Sequence, residues 1–556
     1  MKRFVKMIVD MGGGNDLKNR KKSNSYFSRF SDLIKKTKKD NVIATLCICC
    51  SVLAVVCCCY SDEKQPVDYL GFSQYFDIQT ENEYKSLYST SGCDPRGETH
   101  LTENYVVRTT TDSYLEIAKR TFEKYKVFAK ENSDIVETKM EGSKFIHKRY
   151  ITTYPHEWTP NMIKDAILFD LNLALKLRKY DLILVDFALR NNIFNYTQPI
   201  YVDFHGIVTN ELFNDIVNQK KSDNGNFQNI DKPSQEIIDS FLFVRPPNFL
   251  ALSSISVIKA FIHLAHRQYE SARKMLMIPY VNSHIATEKA NDNWGLLKEL
   301  NSKKTSTQIY ESLLKLMKPI LIIHDFSKNQ HLLNYYKNKY ESFDFDDRTN
   351  WRPKQNSIYE ILKKYKPTTV VDIGCNTGWF SILAEHLGAK VISIDADEAC
   401  VDDLYLYSKE HKLNILPLKI NFEDLDKKYI YKKYSFVNRK KSFASKELYA
   451  APILRLKSEL TLCLALVHHL VLAYGMSIEK VMNILARITN KVLVVEIPNL
   501  QDPLIRGNLP YYRYAEDATS DRYSVDRFIE EGWKYFKKIE IYQSHPRTRK
   551  IIVFEK

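Results

Sequence analysis

The chain has 556 residues, more than one hydrophobic core usually serves, since single cores stop growing at about 250–300 residues; two or more domains are expected. With 44% hydrophobic, 12% aromatic and 27% charged residues, and only 16 Gly and 18 Pro, it is neither collagen-like nor low-complexity nor wholly disordered. The formal charge is +14, but the first 40 residues hold 12 Lys/Arg against 4 Asp/Glu, and the small remainder, spread over the rest of the chain, indicates no nucleic-acid partner.

Residues 1–40 therefore read as a basic tail. Residues 41–60 follow without a single charge. At a helical rise of ~1.5 Å per residue, 20 residues span the ~30 Å hydrocarbon core of a bilayer once. The hydrophilic stretch before the run argues against a cleaved signal peptide and for a signal-anchor. Arg29, Lys35, Lys36, Lys38 and Lys39 precede it and Asp62 and Glu63 follow it, which puts the amino terminus in the cytosol by the positive-inside rule. Six of the ten cysteines lie inside this run; Cys93, Cys375, Cys400 and Cys463 are scattered, so neither a disulfide framework nor a structural zinc site is expected.

Residues 67–345 alternate strand-like pieces (105–109, 145–151, 182–185, 200–204) with helical periods (161–178, 253–277, 306–316), and residues 219–233 look like a polar insertion. Asp186 and Asn191 have the D-x-x-x-x-N spacing of a phosphotransferase catalytic loop, in which the Asp accepts a hydroxyl proton and the Asn binds magnesium. Asp203 ends a later strand, where a second metal ligand would sit. These residues resemble the protein-kinase and aminoglycoside-phosphotransferase fold. The run Thr153-Tyr154-Pro155-His156-Glu157-Trp158 is similar to the kinase-like half of bacterial two-domain methyltransferases. The resemblance implies an α+β kinase-like domain with Asp186 as base, Asn191 and Asp203 holding Mg2+, and ATP as ligand. Against an active enzyme, Leu184 and Val185 replace the His-Arg before the Asp, Ala188 replaces the usual Lys, and no Gly-rich loop is evident. Lys144 and Lys148 are the candidates for the strand lysine. A degenerate scaffold is the alternative.

Residues 346–556 change pattern: helix (357–365), apolar strand (369–373), Gly-containing turn, helix (379–387) and strand (390–395), a βαβ unit that implies a doubly wound parallel sheet. Later strands are expected at 414–420, 460–466, 491–497, 538–542 and 550–554, the last two as a hairpin. Asp372 ends the first strand, and Gly374 and Gly378 shape the turn after it. Asp395 ends the second strand, where a carboxylate can accept both hydroxyls of a ribose. The acidic turn lacks the three-glycine pyrophosphate fingerprint and suits a cation, which favours a sulfonium nucleoside over a dinucleotide.

Asp372-Ile373-Gly374-Cys375-Asn376-Thr377-Gly378 resembles the first motif of the class I S-adenosylmethionine-dependent methyltransferases. The resemblance implies a Rossmann-like domain in which Gly374, Asn376 and Gly378 line the cofactor backbone, Asp372 lies near its amino-acid part, Asp395 holds the ribose and Asn421 neighbours the adenine. His468 and His469, at the end of the fourth strand, are candidates for a general base, or they cap the strand. Glu496 is a catalytic carboxylate or a structural acceptor. The methyl acceptor is not identified by the sequence.

Overall fold

The computed structural model describes residues 96–185 except 103, 191–213, and 345–556 except 438, 439, 515, 517, 520 and 521, together with 76–77, 311 and 314. These belong to one compact unit. Among the described residues no helix is long and apolar enough to cross a membrane; the expected span at 41–60, the insertion at 219–233, the helix at 253–277, most of that at 306–316 and Asp186 lie outside them.

Strands buried on both faces read as unbroken apolar runs, and the C-terminal half is built on such runs. Its elements are α3 (Pro353–Tyr365), β9 (Thr369–Ile373), α4 (Trp379–His386), β10 (Lys390–Asp395), α5 (Glu398–Glu410), β11 (Ile415–Lys419), β14 (Ser458–Cys463), α6 (Ile478–Ile488), β15 (Thr489–Pro498), α7 (Val525–Gly532), β16 (Lys538–Gln543) and β17 (Arg549–Glu555). They form a seven-stranded sheet in the order β11-β10-β9-β14-β15-β17-β16. The first five strands are parallel; β17 inserts antiparallel between β15 and β16, so the expected terminal hairpin forms and makes the sheet mixed. The core beside α3 and α4 includes Trp379, Leu383, Val391 and Leu404, and Phe345 packs into it. Before β14 the chain makes a long hairpin, β12 (Lys427–Val437) with β13 (Lys440–Tyr449), which was not expected.

The amino-terminal half has β1 (Gly97–Leu101), β2 (Tyr105–Thr110), α1 (Asp112–Ala129), β3 (Thr138–Glu141), β4 (Lys144–Lys148), α2 (Pro160–Arg178), β5 (Leu182–Leu184), β6 (Asn192–Asn195), β7 (Gln198–Tyr201) and β8 (Ile207–Thr209). β1-β2-β4-β3 make an antiparallel sheet, and β5-β8 and β6-β7 make two ribbons. Helix α2 starts where a capping residue and a proline coincide: the Thr159 side chain accepts the Met162 N–H, and Pro160 takes the first turn. The Thr153-to-Trp158 run faces the C-terminal half. Tyr154 OH accepts the Ala450 N–H at 3.2 Å, and the buried Glu157 carboxylate pairs with Arg455, whose guanidinium also donates to Thr152 O at 2.6 Å.

Candidate active site

The turn after β9 requires glycine at two points. Gly374 and Gly378 have φ of +78° and +82°, and a Cβ on Gly378 would lie 2.5 Å from Leu404 Cδ1. Asn376 adopts the left-handed region too, at φ +52°, and its side chain accepts the Thr377 N–H at 2.8 Å, the local bond that lets Asn tolerate this conformation. The turn packs tightly: the Gly374 and Cys375 N–H groups both donate to Ile394 O, and the Gly378 N–H donates to Cys375 O.

Asp395 meets this turn directly. Its Oδ2 accepts the Asn376 N–H at 2.8 Å and its Oδ1 accepts the Asp397 N–H at 2.9 Å. Burial pushes its pKa up, and these backbone donors pull against that shift. Asp372, 2% exposed, points beneath the turn: Ser381 donates to its Oδ2 at 2.7 Å, and Ser393 donates to Ser381 at 2.8 Å. Burial holds the Asp372 carboxyl at about 6. Asn421 is exposed beyond β11 and donates to Asp424 at 3.4 Å.

At the end of β14, Ala465 turns the chain at φ +56° and a π-helical turn, His469–Ala473, follows, a distortion frequent at functional sites. His468 is buried, His469 is exposed, and their rings lie 4.0 Å apart. Burial first, then the charge of neighbouring groups, holds His468 well below the ordinary range, so it is neutral at physiological pH. Its Nδ1 has no hydrogen-bond partner among the described residues. The same burial disfavours its imidazolium, so it is a weaker base than a free histidine.

Glu496 is not a free carboxylate. It is 0% exposed; Lys354 Nζ, from the first turn of α3, sits 2.6 Å from its Oε2, and Ser544 donates to its Oε1. Both of its oxygens are thus engaged, one by an ammonium and one by a hydroxyl. Nearby, Arg549 grips Asp502 in a bidentate pair at 2.8 and 3.1 Å, and Thr548 donates to the same carboxylate at 2.9 Å. Lys354 and Asp502 went unrecognised from the sequence, because their partners lie 142 and 47 residues away.

In the amino-terminal half, Asn191 and Asp203 come together through the β6–β7 ribbon, where the Val202 N–H donates to Asn191 O at 2.8 Å. Asp203 is engaged by two guanidiniums: Arg108 Nη1 lies 3.0 Å from Oδ1 and Arg96 Nη2 lies 3.7 Å from Oδ2. Magnesium needs ligand oxygens at about 2.0–2.1 Å in a near-octahedral shell, and two cations already neutralise this carboxylate. The residues do not fit the expected Mg2+ site. The charged residue on the strand before α1 is Arg108; Lys144 and Lys148 lie exposed on β4, after that helix. A separate cleft of about 600 Å³, lined partly by Lys139, Lys148, Tyr150 and Arg455, contains no residue of the Gly374-to-Gly378 turn.

Residues 333–449 match the family described as tellurite resistance protein TehB, a stretch that contains the turn, Asp395 and Asn421. The C-terminal domain is an S-adenosylmethionine-dependent methyltransferase. The methyltransferase chain is also 22% identical over 386 residues to nodulation protein NoeA of Rhizobium meliloti (strain 1021), covering 68% of this chain and 74% of that one. Among solved structures it is similar to the bifunctional kinase-methyltransferase WbdD, at 15% identity and a TM-score of 0.28, covering 40% of this chain and 41% of that one. It is similar as well to TehB from Haemophilus influenzae, at 12% identity and a TM-score of 0.25, covering 40% and 67%. The chain thus spans less than half the length of WbdD; the methyltransferase fold rests on the strand order and on the family match.

Proposed function

We propose that the protein is a membrane-anchored methyltransferase that moves a methyl group from S-adenosylmethionine to an acceptor not yet identified, with a kinase-like amino-terminal half that is catalytically idle. The observation that carries the reading is the Asp395 carboxylate fixed at the lip of the Gly374-to-Gly378 turn. S-adenosylmethionine, when bound, supplies a carbon already activated by its sulfonium. The chain's own work is then positioning. Gly374, Asn376 and Gly378 shape the turn against which the cofactor lies, Asp395 takes the ribose hydroxyls, Asp372 supplies negative charge behind the turn, and Asn421 stands at the adenine end. His468 and His469 stand at the end of β14, and whichever reaches the acceptor takes the proton of its O–H or N–H. His469 lies exposed at the same strand end.

The idle reading of the kinase-like half is supported by the two guanidiniums on Asp203, which stand where magnesium would be needed for phosphoryl transfer from ATP. The anchor rests on the uncharged run at 41–60 and the basic cluster before it. That bias places the folded domains on the exoplasmic side, whereas S-adenosylmethionine is made in the cytosol. Protease treatment of sealed microsomes separates the two orientations: protection of the region after residue 60 supports the exoplasmic one, and digestion without detergent overturns it. Transfer of labelled methyl from S-adenosylmethionine into a membrane extract tests the activity. Label that enters no product, with cofactor bound, leaves the idle scaffold as the function.

A further inference from the structure

Helix α5 has two jobs on its two sides. On one side Leu404 fills the space beneath Gly378, so close that a Cβ there would collide with it. At its start Asp397 caps the helix by accepting the Ala399 and Cys400 N–H groups, while its own N–H donates to the ribose carboxylate of Asp395. On the other side Asp402, Tyr405 and Lys409 lie at spacings of three and four, one helical face, and all three reach the amino-terminal half. Asp402, 0% exposed, accepts both the Asn161 N–H at 3.1 Å and the Asn161 Nδ2 at 2.6 Å. Tyr405 OH and Lys409 Nζ each donate to Asp165 Oδ2 at 2.6 Å, and Tyr405 OH also reaches Thr197 O at 3.3 Å.

A buried carboxylate is costly unless hydrogen-bonded, so Asp402 ties the register of α5 to Asn161. The same rigid helix sets Leu404 and Asp397, and these set the turn and Asp395. We propose that Asn161 and Asp165 are positioning residues for the cofactor site, acting through α5, so that docking of the amino-terminal half and cofactor binding are thermodynamically coupled. This rests on the methyltransferase reading above. The coupling needs no nucleotide and gives the idle half a task that its fold alone can perform. It is also reciprocal, as any equilibrium linkage is: cofactor bound at the turn tightens the contact at Asn161 by the same factor.

The test uses the full chain and S-adenosylhomocysteine as probe. Asn161→Asp sets two carboxylates face to face, and is expected to weaken binding by about tenfold or more. The exchanged pair, Asn161→Asp with Asp402→Asn, restores one carboxylate and one amide in swapped positions, and is expected to bind within about threefold of wild type. A role confined to stability would lower the melting temperature without this loss and recovery of affinity. Asn161→Asp binding as tightly as wild type overturns the coupling. Should that variant not melt cooperatively, Asp165→Asn is read instead: several-fold weaker binding supports the coupling and unchanged affinity overturns it. Wild-type protein that binds no probe at all refutes the methyltransferase reading itself, a different outcome from loss of coupling.

Discussion

Asp395 Oδ2 accepts the Asn376 N–H at 2.8 Å, so the carboxylate that ends the second strand and the glycine turn that follows the first form one hydrogen-bonded unit. The carboxylate is therefore placed by the turn, and the turn by the carboxylate. Anything that moves residues 374–378 is expected to disturb ribose recognition as well.

Gly378→Ala puts a methyl group 2.5 Å from Leu404 Cδ1 at a φ of +82°. Left-handed strain and overpacking add, and the expected loss is about 2 to 3 kcal/mol of stability, with weaker cofactor binding. Adding Leu404→Ala removes the collision but not the strain. Chemical denaturation of the single and double variants checks this: the second substitution should cost less in the Gly378→Ala background than in wild type.

The Lys354–Glu496 pair is enclosed, with side chains 7% and 0% exposed. Lys354→Met strands the Glu496 charge and is expected to destabilise by about 3 to 5 kcal/mol, whereas Lys354→Met with Glu496→Leu recovers much of that. Urea midpoints of the two variants measure it. Equal destabilisation by the single and double variants would mean that the pair carries no such charge penalty.

Asp372 titrates at about 6 in the folded protein, raised from an ordinary 3.8 by burial. A carboxyl whose folded pKa is raised contributes stability that is complete below about 3.8 and is lost as pH rises through about 6, roughly 3 kcal/mol in all. Asp372→Asn keeps an acceptor for Ser381 without the charge, so it is expected to be more stable than wild type at pH 8 and nearly equal at pH 4. Binding of a sulfonium ligand should show the opposite preference, strengthening from pH 5 to 7 in wild type and staying flat in the variant.

Much of this domain was legible in sequence for a physical reason. Strands β9 and β10 are buried along most of their length and carry the apolar residues Val370, Val371, Ile373, Val391, Ile392 and Ile394, and the turn between them announces itself through glycines that its φ values demand. Strand β14 was read too long because Leu464 and Leu466 continue the apolar run past the bend at Ala465. Helix α1 was missed: its buried face mixes Tyr114, Thr121 and Tyr125 with Phe122 and Phe128, and reads as neither a clean helical stripe nor a strand. The pairs that define the sites, Lys354 with Glu496, Arg108 with Asp203 and Asn161 with Asp402, join residues 95 to 241 apart. No local pattern signals such partners.

Asp203→Asn removes the counter-charge of Arg96 and Arg108, and is expected to destabilise by on the order of 2 to 4 kcal/mol. Wild-type protein should show no rise in melting temperature with magnesium and ATP. A rise of several degrees that depends on both would instead identify a working nucleotide site.

The most direct measurement is calorimetric titration of the full chain with S-adenosylmethionine. Wild type is expected to give a saturable one-to-one heat. Asp395→Ala removes the paired charge-assisted bonds to the ribose and should bind about 30- to 100-fold more weakly, the equivalent of ~2 to 3 kcal/mol. Asp203→Asn should bind as wild type does. No heat with wild type, or equal affinity in Asp395→Ala, would contradict a cofactor site built on the β9 turn and Asp395.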